Sequence, residues 1–137
     1  MSNLPNDSFT ERIVVVDDDD AVLESLGILL DAHKFEPLLY RTGEEIIGAP
    51  CPRDVGCFLL DLNLPGMSGL EVMAFVRDKM PGVPVVLMTA LRTGRLKKAA
   101  MSAGAAALLD KPVEEGTLIE AIKTAIGAAP KTKPSRP

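Results

Sequence analysis

Tryptophan is absent from this 137-residue chain, tyrosine and histidine each occur once, and cysteine occurs twice. Each shortage excludes something. With 4% aromatic residues and a formal charge of −4, the chain lacks both the basic surface and the stacking groups of a direct nucleic-acid binder. Cys51 and Cys57 stand six residues apart around Pro52 and Gly56, far from the single His33, and match no common zinc spacing. Both read as ordinary small residues, with Cys57 opening an apolar run. A structural disulfide is not expected in a reducing cytosol. No apolar run approaches the roughly 20 residues of a membrane-spanning helix. The N-terminus MSNLPNDSFTER is too polar for a secretory signal. The expectation is a cytoplasmic protein that contacts no membrane.

What is present suits one folded unit. Hydrophobic residues make up 47% and charged residues 25%, which excludes wholesale disorder. A domain of this size buries about two thirds of the surface its unfolded chain exposes, and needs no disulfide or metal to fold. The last eight residues, PKTKPSRP, hold three of the 15 cations and no acid, so residues 1–129 carry −7. The expected organisation is a flexible segment over 1–11, a domain over 12–128, and a flexible tail or linker stub over 129–137.

Five short apolar runs stand out: Ile13–Val16, Pro37–Tyr40, Cys57–Leu60, Pro84–Met88 and Ala106–Leu109. The first, third and fourth are continuous rather than alternating, which predicts strands buried on both faces. Helical patterns lie between. Val22, Leu26, Leu29, Leu30 and His33 share one helix face. Ser68-Gly69-Leu70-Glu71 reads as a capping box, with Leu70, Met73, Val76 and Arg77 continuing the helix to Pro81-Gly82. An alanine-rich helix over 93–103 stops at Gly104. Leu118, Ile119, Ile122, Ala125 and Ile126 give the last helix its apolar face. Between Gly43 and Gly48 there is room for a turn or two. Strict strand–helix alternation predicts a doubly wound parallel sheet with helices on both sides, flavodoxin-like or Rossmann-like. In either, a site forms at the carboxyl edge of the sheet.

Polar residues gather at that edge. The first run is followed by Asp17-Asp18-Asp19-Asp20, the third by Asp61, the fourth by Thr89, and the fifth by Asp110-Lys111-Pro112. Asp19 and Asp20 are explained by the dipole of the helix they open. Asp17, Asp18 and Asp61 follow buried strands, so their carboxylates are expected to be close and partly desolvated. Two like charges ~4 Å apart repel by about 4 kcal/mol at an effective dielectric of 20. Lys111 is the one local cation against three acids. A hard divalent cation with oxygen ligands would relieve the rest, and Mg²⁺ suits such a set. A flavin or nucleotide is disfavoured, because phosphate-binding loops present N–H groups where this chain presents four aspartates.

The pieces VVVDDDDAVLESL, LLDLNLPGMSGLEV, PVVLMTA and GAAALLDKP resemble the receiver domain of two-component response regulators over about Ile13 to Ile126. The spacing is specific: an acidic pair, a single Asp before a Pro-Gly loop, a Thr 28 residues later, and Lys-Pro another 22 later. Thr42-Gly43-Glu44-Glu45 is similar to the nitrogen-fixation type of regulator. The resemblance implies a flavodoxin-like fold with strand order 2-1-3-4-5. It implies Asp61 as phosphoacceptor, and Mg²⁺ held by Asp17, Asp18, Asp61 and the backbone carbonyl of Asn63. Thr89 would donate to a phosphoryl oxygen, and Lys111 would pair first with Asp61 and then with the phosphoryl group. A cis peptide is implied at Lys111–Pro112, and Asn63 and Leu91 occupy positions that tune phosphoryl lifetime. A sensor histidine kinase and a downstream effector are the implied partners. The implied activity is that of a switch rather than a turnover enzyme.

One position departs from the pattern. Receivers usually carry Tyr or Phe three residues before the lysine, and Leu108 stands there. Leu108 reads either as a weakened switch residue or as an ordinary core residue. Arg92, Arg95, Lys97 and Lys98 cluster at the start of the fourth helix, where cations oppose the dipole. They read either as a solvated face or as a surface that pairs with acids of the last helix such as Glu120, in a homodimer through helix 4, strand 5 and helix 5. Two alternatives to the switch are a phosphorylation-independent interaction module on the same fold and a Mg²⁺-dependent aspartyl-phosphate phosphatase.

Overall fold

The computed structural model describes residues 11–49, 54–90 and 94–129. Cys51, Leu91, Arg92 and the two terminal segments beyond these limits lie outside the described residues. Ten elements alternate along the chain: β1 (Arg12–Val16), α1 (Asp20–Ala32), β2 (Glu36–Tyr40), α2 (Gly43–Gly48), β3 (Val55–Asp61), α3 (Gly69–Lys79), β4 (Val85–Thr89), α4 (Gly94–Ser102), β5 (Ala107–Asp110) and α5 (Glu115–Ala128). The strands form one parallel sheet in the order β2-β1-β3-β4-β5. This is the flavodoxin-like arrangement, and it places β1, β3 and β4 at the centre.

Central strands buried on both sides explain the continuous apolar runs. Ile13, Val15, Cys57, Leu59, Val86 and Met88 face α1 and α5, where they pack on Leu23, Leu26, Leu30, Leu118, Ile119, Ile122 and Ala125. Val14, Val16, Phe58, Leu60, Val85 and Leu87 face the other way, onto Ile46, Val72, Met73, Val76 and Ala100. Leu23 and Val72 are fully part of these cores although the sequence pattern passed over them, while Arg77 of the expected α3 face is exposed.

The helix ends follow their local chemistry. The Asp19 side chain accepts from the backbone N–H of Ala21 and Val22 and caps α1. Thr42 caps α2 by accepting from Glu45 N. Ser68 and Glu71 form the reciprocal capping box of α3. Gly104, at φ +107°, turns the chain after α4.

At the carboxyl edge the strands end where the sequence sets their polar residues. β3, β4 and β5 each run one residue beyond the apolar run, so Asp61, Thr89 and Asp110 are the last residues of their strands. Asp61 pairs in register with Met88, and Thr89 with Asp110. The ladder continues because the polar side chains leave the backbone free to pair. Asp61 and Thr89 therefore stand on the sheet itself, while Asp17, Asp18 and Lys111 follow directly after β1 and β5.

Candidate functional site

Five chemistry-bearing residues meet at the carboxyl edge of β1, β3, β4 and β5. Asp17 follows β1, and its N–H donates to Tyr40 O at 3.1 Å, which extends the β1–β2 pairing by one bond. Asp61 ends β3. The chain then turns so that Gly69 N donates to Leu62 O at 3.1 Å. A Cβ at Gly69 would stand 2.5 Å from Asp61 O and 2.6 Å from Leu62 Cα, so only glycine lets α3 start this close to the Asp61 backbone. Lys111 N donates to Thr89 O at 2.8 Å, and the Lys111–Pro112 peptide is cis.

The two buried carboxylates are held in matching ways. Asp17 Oδ1 accepts from Asp19 N at 2.9 Å, and Asp61 Oδ1 accepts from Asn63 N at 2.9 Å. Lys111 Nζ donates to Asp17 Oδ2 at 2.8 Å and to Asp61 Oδ2 at 3.0 Å. One ammonium thus serves two acids. Asp18 completes the group: ligand-type oxygens of Asp17, Asp18 and Asp61 all lie within 4.8 Å of one another. Its side chain differs from the sequence expectation, because Asp18 is exposed while Asp17 and Asp61 are buried. Asp17 continues the β1–β2 pairing through its N–H, while Asp18 stands at the bend that follows and is open to solvent.

Burial pushes the Asp17 carboxyl above the usual carboxylate range; the Lys111 hydrogen bond opposes this and the Asp61 charge adds to it. Burial alone would lower Lys111, but its hydrogen bonds to Asp17 and Asp61 override that and hold it above its ordinary 10.5. The two shifts differ in origin: burial raises Asp17, while the paired carboxylates of Asp17 and Asp61 raise Lys111. The set is hard-oxygen, acid-rich and geometrically converged, which fits Mg²⁺ better than any softer ion.

A stability consequence follows in metal-free protein. Because the native Asp17 pKa is raised, this carboxyl stabilises the fold most below its unfolded value near 3.8 and loses that contribution as pH rises through the raised value. Asp17→Asn, with chelator present, is expected to be more stable than the parent at pH 7 by about 1 kcal/mol, or ~3–5 °C in Tm. The gap should close as pH falls towards 4. Thermal melts across pH check this, and a destabilised variant at pH 7 would contradict it.

Thr89 is fully buried, with its hydroxyl oxygen 3.2 Å from Asn63 Nδ2, which donates to it. The reach of the Asn63 side chain to β4 has no sign in the sequence, although the resemblance marks Asn63 as a position that tunes phosphoryl lifetime. Leu108 is half-buried and packs against the core on the α3 side. Arg95, Lys97, Lys98 and Glu120 are exposed. Asp20 pairs with Arg41 at 2.7 Å. Cys57 is buried and its thiol is pushed up to about 12, which makes it inert packing rather than a reactive group.

A model of the family described as "Response regulator receiver domain" matches residues 13–123. The transcriptional regulatory protein FixJ of Azorhizobium caulinodans is 34% identical over 113 residues, which is 82% of this chain and 54% of that protein. The chain therefore spans about half the length of this curated relative. A CheY-like response regulator receiver domain protein from Methanospirillum hungatei superposes with a TM-score of 0.80 at 29% identity, covering 86% of this chain and 94% of that one. The BeF3-activated DrrB receiver domain superposes with a TM-score of 0.78 at 25% identity, covering 86% and 98%.

Proposed function

This chain belongs to the response regulator receiver domain family, and from that premise we propose that it is a phosphorylation switch with Asp61 as the acceptor. The observation that carries the reading is the Lys111 ammonium bonded to both Asp61 and Asp17, beside Asp18, at the carboxyl edge. An Asp61 oxygen attacks phosphorus, and the bond from phosphorus to the donor breaks. The donor is a phosphohistidine of a sensor histidine kinase or a small acyl phosphate. Asp61 needs no general base, since an ionised carboxylate is already a nucleophile. The obstacle is anion meeting anion, and positioned cations remove it.

Asp17, Asp18, Asp61 and the backbone carbonyl of Asn63 would hold Mg²⁺, which supplies positive charge to the phosphoryl oxygens when bound. Lys111 exchanges its Asp61 contact for the phosphoryl group, and the Thr89 hydroxyl donates to a second oxygen. The added group carries about −1.5 to −2 charge. Its contacts shift the populations of the face built by α4, β5 and α5, and a partner preferring one population reads the change. Leu108 packs in this region without the ring that usually occupies the position, so Thr89 carries the coupling. Arg95, Lys97 and Lys98 on α4 face solvent, as does Glu120 on α5, and these signs suit a homodimer through that face or a downstream effector.

The domain over 12–128 acts in the cytoplasm, catalyses only its own phosphoryl transfer and hydrolysis, and contacts no nucleic acid itself. No helix among the described residues is long and apolar enough to cross a membrane. Incubation with Mg²⁺ and a small acyl phosphate is expected to add one phosphoryl group per chain, with chelator preventing the addition. Steady turnover of a generic phosphate ester without label would point instead to a phosphatase. Failure to bind Mg²⁺ would point to an interaction module.

A further inference from the structure

Two helices of this chain carry charge that works against them. α1 has Asp31 in its last turn and Glu24 two turns earlier on the same side, and it contains no cation. α4 begins with Arg95, Lys97 and Lys98 and contains no acid. An acid near a helix C-terminus and cations near an N-terminus both oppose the dipole, so helix stability accounts for neither set. Glu24, Asp31, Lys97 and Lys98 are exposed, and they make no ion pair among the described residues.

Each set flanks an exposed apolar side chain. Ile28, 65% exposed, is four residues after Glu24 and three before Asp31. Met101, 42% exposed, is four residues after Lys97 and three after Lys98. These spacings make neighbours on a helix surface. The α1 patch continues onto the edge strand β2. A Cβ at Gly27 would stand 3.2 Å from Leu39 Cδ1, so the exposed Leu39 lies against α1 next to the position of Ile28. Leu39 also lines a hollow of ≈ 600 Å³ together with Leu23, Asp20, Glu24, Arg41 and Glu45. Asp20 takes up Arg41 at 2.7 Å, which leaves the lining with an acidic excess.

We propose that this hollow receives α4 of a second copy of the chain, with Met101 entering against Leu39 and Ile28 while Lys97 and Lys98 meet Glu24 and Asp31. The signs are complementary and each side has an apolar centre. An unbranched thioether adapts to a hollow of irregular shape. One chain cannot make this contact with itself. α1 packs beside β1 and β2 at one edge of the sheet, and α4 beside β5 at the other. The two edges are four strand spacings of about 4.8 Å apart, and the helices cover opposite faces. The contact is therefore head to tail. It joins two different surfaces, so it builds rows or rings rather than a two-fold pair. It goes beyond the receiver reading and does not need Asp61 to accept a phosphoryl group.

Charge reversal tests the pairing on unphosphorylated protein. One variant carries Glu24→Lys and Asp31→Lys, the other Lys97→Glu and Lys98→Glu. All four positions are exposed, and both variants bring charge into better accord with the helix dipoles, so thermal melts are expected to show parent-like folding. Sedimentation velocity from micromolar to millimolar concentration reads the mass. The parent is expected to grow with concentration without a plateau at twice the monomer mass, and to return to monomer in about 0.5 M salt. Each variant alone is expected to stay monomeric. Their equimolar mixture keeps one intact α4 and one intact hollow, so it is expected to stop at twice the monomer mass. The mixed pair should bind at least about tenfold tighter than either variant binds itself. A parent that stays monomeric throughout, or a mixture that does not pair, overturns the proposal. So does a α1 variant that still dimerises, which would assign the cations to a two-fold contact through α4, β5 and α5. None of these outcomes touches the receiver reading, which stands or falls on labelling of Asp61.

Discussion

Asp61→Asn is expected to abolish phosphoryl uptake, with the rate from a small acyl phosphate falling by on the order of 10³-fold or more, as when a nucleophile is removed. The substitution keeps the shape and one acceptor oxygen. Asn63 N–H and Lys111 Nζ now share the Asp61 carboxylate, one on each oxygen, so the amide can satisfy one of them and turns its NH₂ towards the other. That mismatch is offset by the loss of one of three converging charges, and the variant is expected to fold. A neutral amide has no anionic oxygen to attack phosphorus. Label measured on the intact protein, with far-UV circular dichroism as the folding control, checks the result. Labelling within tenfold of the parent rate would place the acceptor elsewhere.

Much of this arrangement is written in the order of residues. Ile13–Val16, Cys57–Leu60 and Pro84–Met88 are too uniformly apolar for a sheet with one wet face, and an acid or hydroxyl directly after each marks where burial stops. That pattern brings Asp17, Asp61 and Thr89 to one edge before any coordinate is known. The capping residues Ser68 and Glu71 are legible for the same reason: their bonds span three residues and depend on nothing distant. Other features are set by neighbours far along the chain. Whether Asp17 or Asp18 turns inward depends on how β1 meets β2 at Tyr40. That Lys111 divides itself between two carboxylates depends on the parallel register of β4 and β5. The reach of Asn63 to Thr89, 26 residues away, has no local signature at all. The sequence names the reactive groups, while the sheet register decides which of them share a proton or a cation.

Lys111→Met should separate catalysis from stability, because the lysine pairs two buried acids and, on the proposed reading, also meets the phosphoryl group. The unbranched thioether has a similar length and carries no charge. Loss of one preorganised cation facing developing negative charge lowers rates by about 10²–10³-fold, and phosphoryl uptake is expected to fall by that factor at saturating Mg²⁺. The fold is expected to weaken as well. Asp17 and Asp61 would remain buried without their shared partner, and breaking a buried pair costs about 3–5 kcal/mol. The pH dependence gives the sign. Native Lys111 has a raised pKa, so its contribution is complete below 10.5 and is lost as pH rises through the higher native value. The stability gap between parent and variant should therefore be widest near neutrality. It should shrink as pH rises through the raised native value, where the parent lysine also loses its charge, and shrink again in acid as Asp17 takes up its proton. Combining Lys111→Met with Asp17→Asn should recover part of the lost stability and none of the lost rate, since the first term is charge repulsion and the second is charge placed against phosphorus. Urea denaturation of all four proteins alongside labelling rates checks both. A double variant that regains phosphoryl uptake would mean that Lys111 acts only by holding the acids together.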